Sequence, residues 1–206
     1  MPILTKDGRG VLFIHVPKTG GSSIENHFKA AGWQIAYHDG RIGPGTLNNF
    51  RWCTPQHMHG EMLQENFVLE SFEAVFMVVR EPLARFRSEY VWRRGTDVDT
   101  SERAVDRWAR KILARYEENP FVLGNHIRPQ AEYLVPGAEV FAFEDGLDAV
   151  VERLNAEHGF DLPPHVGRDR TSEKTSGVSS REVRISPELE DRLRDFYALD
   201  HLMFGY

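Results

Sequence analysis

An apolar, β-favouring run, Val11-Leu12-Phe13-Ile14-His15-Val16, stops at Pro17 and is followed by Lys18-Thr19-Gly20-Gly21-Ser22-Ser23. A run of this kind makes a buried strand. Gly20-Gly21 permit a tight turn with positive φ, and Ile24 to Ala31 reads as a helix. Strand, small-residue turn and helix N-terminus together make an anion site. Unpaired backbone N–H groups and the positive end of the helix dipole point into the turn. Lys18 adds a full positive charge, and Thr19, Ser22 and Ser23 add hydroxyl donors. Phosphate is the expected guest. The order differs from a Walker A loop, GxxxxGK[ST], in which Lys follows the last Gly. Lys18 precedes Gly20-Gly21, which weighs against an ATP or GTP kinase. A turn that only joins strand to helix has no use for this set of residues.

The 206 residues suit one domain with a sizeable core. A net charge of −6 argues against general nucleic-acid binding, which shows an excess of Lys and Arg. The single Cys53 cannot form an internal disulfide. Met1 to Gly10 is polar and short, unlike a signal peptide, and no apolar run approaches the roughly 18–20 residues of a membrane span. The expectation is a soluble, cytoplasmic protein.

Farther along, Trp33 to Tyr37 reads as a short strand after Gly32, and Arg41 to Asn49 as loop. In Gln56-His57-Met58-His59-Gly60, extended backbone would turn both histidines to one side. Three readings stand. One is a general base for a hydroxyl, the second is zinc with Cys53 or His38 completing the shell, and the third is a surface pair. The absence of a paired Cys motif places zinc last. Ala74 to Val79 is a second continuous apolar strand, ending at Arg80-Glu81-Pro82. Pro82 suits the first turn of a helix that runs to about Arg94. Its apolar face is Leu83, Phe86 and Tyr90, with Arg85, Ser88 and Trp92 near the opposite side. Arg80 falls at the carboxyl end of a strand, where open α/β sheets bind ligands.

The motif PKTGGSS after a first strand, followed by Arg80-Glu81-Pro82-Leu83-Ala84-Arg85-Phe86-Arg87-Ser88-Glu89-Tyr90 after a later one, resembles sulfotransferases that use 3′-phosphoadenosine 5′-phosphosulfate (PAPS). It is most similar to the carbohydrate sulfotransferases that include the heparan 2-O-sulfotransferases. The resemblance implies that Lys18, Thr19, Gly20, Gly21, Ser22 and Ser23 hold the 5′-phosphosulfate. It implies that Arg80 and Ser88 hold the 3′-phosphate. That family also places a His-x-His pair between the two motifs, so the resemblance favours the base reading, with His59 as base and His57 beside it.

The rest of the chain is less specific. Asp99 to Tyr116 reads as an amphipathic helix. Asn125 to Gln130 is polar around a proline and resembles a family segment near the active site, which offers Arg128 and Gln130 to substrate. Glu139 to Phe143 reads as a third strand and Asp145 to His158 as a helix closed by Gly159. Asp161 to Ser180 reads as a mobile loop carrying Arg168, Arg170 and Lys174; the resemblance makes Lys174 a residue that closes over the nucleotide. Ser186-Pro187-Glu188 opens a last helix. The Tyr197-to-Tyr206 ending resembles the family's C-terminus.

The expected fold is therefore α/β, one P-loop-like domain spanning 1–206, with a central parallel sheet flanked by helices. The expected function is sulfuryl transfer from PAPS to a hydroxyl of an acceptor, a carbohydrate or small metabolite, leaving adenosine 3′,5′-bisphosphate (PAP). His59, His57 and Lys18 would carry the catalysis, without a metal. A non-catalytic PAP or PAPS binder and a P-loop-type phosphotransferase are the alternatives.

Overall fold

A computed structural model describes residues 2–167 and 171–206; Arg168 and Arg170 lie outside the described residues. The first run forms β2 (Arg9–Ile14), and the turn after it leads into α1 (Gly21–Ala30). The second run forms β4 (Ala74–Val79), followed by α3 (Pro82–Arg94). Glu81 caps α3, accepting from the N–H groups of Leu83 and Ala84. β5 is Glu139–Ala142 and α5 is Leu147–His158. β2, β4 and β5 run parallel and adjacent, with Phe13 opposite Phe76 and Val78 opposite Phe141.

The sheet is mixed, which corrects the expectation of a parallel one. Its order is β3-β1-β2-β4-β5, and β1 (Ile3–Lys6) pairs antiparallel with both β2 and β3 (Gln34–Ala36). Polar Met1 to Gly10 gave no sign of a strand. Asp7-Gly8, both at positive φ, turns β1 back into β2 as a two-residue hairpin.

Residues of β2 and β4 alternate between two cores, as a pleated strand covered on both faces requires. Val11, Phe13, Phe76 and Val78 meet α1 and α5 on one face. Leu12, Ile14, Val75 and Met77 meet Met58, Leu63 and Tyr133 on the other, where α2 (Gly60–Asn66) lies. A third cluster joins α3 to α4 (Glu102–Glu118) and α7 (Pro187–Phe196) through Phe86, Tyr90, Val105, Leu113 and Leu193. The stretch read as a mobile loop contains a short helix, α6 (Ser172–Ser176), capped by Thr171 and packed against α3. A last helix, α8 (Ala198–Phe204), follows α7. No described helix is long and apolar enough to cross a membrane.

Candidate functional site

The turn between β2 and α1 has the backbone its glycines suggest. Gly20 is left-handed at φ 86° and Lys18 also has positive φ, 70°. No side chain caps α1, and the Ser23 N–H turns back to the Gly20 carbonyl (2.9 Å). Gly21 has no room for a side chain: a Cβ there would lie 2.2 Å from Nε2 of His15. The Thr19 hydroxyl, expected as a ligand donor, instead donates to the carbonyl of Val16 (2.8 Å) and fixes the turn. Ser22 is half-buried and Ser23 buried. The Lys18 ammonium lies over the Trp92 ring, 5.1 Å from its centroid.

Arg80 reaches this turn from the end of β4. Its guanidinium donates to the carbonyl of Lys18 (3.2 Å) and stacks on Phe143, 4.8 Å away. The Arg80 guanidinium and the Lys18 backbone, 62 residues apart, thus meet at the carboxyl ends of adjacent parallel strands. Burial lowers the Arg80 pKa; Glu144 and Glu81 oppose that effect and Arg181 adds to it. Arg181, which no motif singled out, therefore stands near the same place. Ser88 is half-buried on α3, the helix that α6 packs against. Lys174 is exposed on α6, where its N–H donates to the Thr171 hydroxyl.

Gln130 does not line an open substrate site. It is wholly buried and bonds both backbone groups of Arg80: Arg80 N–H donates to Oε1 (2.9 Å), and Nε2 donates to the Arg80 carbonyl (2.8 Å). Asp200 of α8 accepts from Gln130 and from the Ala131 N–H. Arg85, placed by spacing on the polar side of α3, is 1% exposed. It donates to the carbonyls of Pro17, His126 and Arg128 (3.1, 2.9 and 2.7 Å). One guanidinium thereby ties the turn between β2 and α1 to the 126–128 segment.

His57 and His59 do not face one side, because His57 lies in a 3₁₀ turn and only Met58 and His59 are extended. His57 ends a 3₁₀ turn, Pro55–His57, and His59 is the N-cap of α2. The His57 ring sits edge-on between His15 (4.9 Å) and His126 (4.8 Å). Burial, then His126 and His15, hold its pKa well down. His126 stacks on Trp92, and its Nδ1 donates to Glu89 (2.8 Å). Burial lowers the His126 pKa against the pull of Glu89; His126 and Arg93 keep the Glu89 carboxyl low despite its burial. Lys18, Trp92, His126 and His57 are thus successive contacts.

His59 opens elsewhere, into a cleft of about 400 Å³ shared with Trp52, Glu61, Phe121 and Arg128. Its Nδ1 is buried without a partner, whereas Nε2 lies 3.6 Å from exposed Glu61. Burial, then Arg128, lower its pKa, which leaves the imidazole neutral near pH 7 and able to accept a proton. Arg128 is 5% exposed and ion-paired with Glu132. Asn125 accepts from Arg128 Nε (3.0 Å) and donates to the His57 carbonyl (2.8 Å), which joins the cleft to the histidine row.

The zinc set is not assembled. Cys53 packs against Met62 with its thiol pKa raised by burial. Among the described residues, the grouping with metal-ligand spacing is Glu139, Glu157 and His158. It includes none of Cys53, His38, His57 and His59.

A buried cluster behind the turn had no sequence signal beyond an acid on an otherwise apolar helix face. Glu25 of α1 is 1% exposed and binds His15, His38 (3.0 Å) and the Gln56 amide (3.0 Å). Burial would raise its pKa, but His15, Gln56 and His38 outweigh that and lower it to about 2.

The family model described as the sulfotransferase family matches residues 1–206, and the chain belongs to that family. No curated protein and no solved structure matches the chain.

Proposed function

We propose that this chain, as one P-loop-like domain over residues 1–206, transfers a sulfuryl group from PAPS to a hydroxyl of an acceptor. The observation that carries this is the meeting of Lys18 and the uncapped α1 N-terminus with Arg80, two anion-holding elements suited to a nucleotide bearing phosphate at both 5′ and 3′ positions. Lys18, Gly20, Gly21, Ser22 and Ser23 hold the 5′-phosphosulfate, with the Thr19 hydroxyl shaping the turn and its backbone facing the ligand. Arg80 and Ser88 hold the 3′-phosphate, with Lys174 and Arg181 beside them on the segment packed against α3.

The acceptor oxygen attacks sulfur as the bond from sulfur to the bridging phosphate oxygen breaks. His59 takes the acceptor proton at Nε2. Lys18 and the α1 N–H groups stabilise the charge that grows on the departing PAP. His57, wedged between His15 and His126, positions His59 through the backbone they share. Arg128 sits on the acceptor side; Gln130 acts through Arg80. No metal is needed for this route.

The test is a calorimetric titration of wild type and Arg80→Ala with PAP and with adenosine 5′-phosphosulfate. Guanidinium–phosphate bonds are worth roughly 1.5–3 kcal/mol each, so PAP should weaken by about 10–100-fold. The 5′-phosphosulfate, which has no 3′-phosphate, should bind almost unchanged. A parallel loss for both ligands would mean that Arg80 acts by holding the Lys18 carbonyl, and the 3′ assignment falls. Wild type that does not prefer PAP to ADP removes the PAPS reading.

A further inference from the structure

The cleft beside His59 has a composition that selects among acceptors. Trp52 is 70% exposed and stacks on Phe121 with ring centroids 5.6 Å apart and planes at 25°. Its volume of about 400 Å³ falls among ligand clefts, about 300–1,000 Å³. Around this aromatic floor stand Glu61, Glu65, His59 and Arg128. A broad ring face is negative at its centre and attracts C–H groups. Carboxylates at its rim accept hydrogen bonds from hydroxyls. A flat apolar face edged with hydroxyls fits both, and a sugar ring has that shape.

The charge of the cleft points the same way. Arg128 is the one cation of its lining, and that charge is already matched by Glu132 and stacked on Phe121. His59 is kept neutral by burial and by Arg128. Arg51, exposed on the preceding loop, reaches toward Met58 and is not part of the lining. Glu61 and Glu65 are left uncompensated within the lining, and both are exposed. An acceptor dense in carboxylates or sulfates would meet two like charges and, within the lining, no cation that is not already paired, which disfavours it.

We infer that the acceptor is an uncharged sugar whose ring stacks on the exposed face of Trp52, which Phe121 backs, and that the site discriminates against polyanionic glycans. This rests on the proposed role of His59. The test is binding, read by quenching of Trp52 fluorescence in PAP-loaded protein, with Trp52→Phe as the blank. The probes are neutral gluco-, galacto- and N-acetylglucosamine-configured disaccharides and their uronate counterparts. Each neutral sugar that binds should do so at least about tenfold more tightly than its uronate, a difference of about 1.4 kcal/mol. Glu61→Lys combined with Glu65→Lys should erase that preference, and Trp52→Ala, titrated by calorimetry because it lacks the reporter, should bind neutral sugars about tenfold more weakly while PAP binding stays unchanged. Uronates that bind as well as neutral sugars overturn the inference, as does failure of every neutral sugar to saturate. A simple phenol that saturates the cleft when no sugar does overturns it in favour of an aromatic acceptor. If PAP does not bind, the donor reading falls alone, and the same sugar titration without nucleotide still decides the cleft.

Discussion

Replacing His59 by Ala should lower turnover by about a hundredfold or more while PAP affinity changes little. General base catalysis contributes roughly 10²–10⁴-fold, and a group that acts only in the transition state lowers kcat and kcat/KM together. The pH profile adds a second readout. Burial and Arg128 lower the His59 pKa from 6.5, so its basic form persists to more acidic pH. The acid limb of kcat/KM should therefore fall below about pH 6.5 in wild type and be missing from the residual activity of His59→Ala. His126 is the competitor, because Glu89 orients it and it stacks on the ring beneath Lys18. A mild His59→Ala together with a crippling His126→Ala would transfer the base to the histidine row. The effect of His57→Ala should fall mainly on the geometry of the row, since burial keeps that ring from exchanging protons with an acceptor.

Glu25→Ala should destabilise the fold by about 3–5 kcal/mol, the range for removing one partner of a buried ionic pair. It leaves His15 and the Gln56 amide without their common acceptor. A carboxyl at about 2 in the folded chain, against its ordinary 4.5, contributes about 3 kcal/mol by itself. That contribution is complete above about pH 4.5, where both folded and unfolded states are ionised. It disappears as pH falls toward 2 and the folded carboxyl takes up its proton. Urea unfolding between pH 7 and 3 measures both effects. Wild type should lose stability steeply in the acid half of that range, and Glu25→Gln should lose less. Equal acid slopes for the two proteins would show that another carboxylate governs acid unfolding. The cluster backs the turn directly, since the His15 ring fills the space above Gly21. Loss of Glu25 should accordingly weaken PAP in whatever fraction remains folded.

The parts legible in the sequence were those set by short-range rules. Continuous apolar runs gave β2 and β4, Pro82 and Ser186 gave helix starts, and Gly20 gave a left-handed turn. β1 was missed because it is short and half-exposed, and its pairing depends on a turn at Asp7-Gly8 rather than on hydrophobic pattern. Spacing also misled where a polar side chain turns inward to bind backbone. Arg85 looked like a solvent-facing helix residue, but its partners are carbonyls more than forty residues away. Gln130 looked like a ligand contact and is a clamp on Arg80. The His-x-His pair failed as a geometric unit because one proline, Pro55, starts a 3₁₀ turn where a strand was assumed. Long-range hydrogen bonds of this kind leave no period in a sequence.

The Arg85 tie also bears on how the molecule moves. Its three carbonyl partners belong to the turn at Pro17 and to the 126–128 segment that leads to the cleft beside His59. Swinging either segment away strands a buried cation among unmatched groups. The two segments are therefore coupled into one opening unit and should exchange amide hydrogens together. Lysine at this position carries the charge but not the fork, and cannot hold two directions at once. A displacement of the turn at Pro17 is therefore passed to the backbone of His126 and Arg128 by a single side chain.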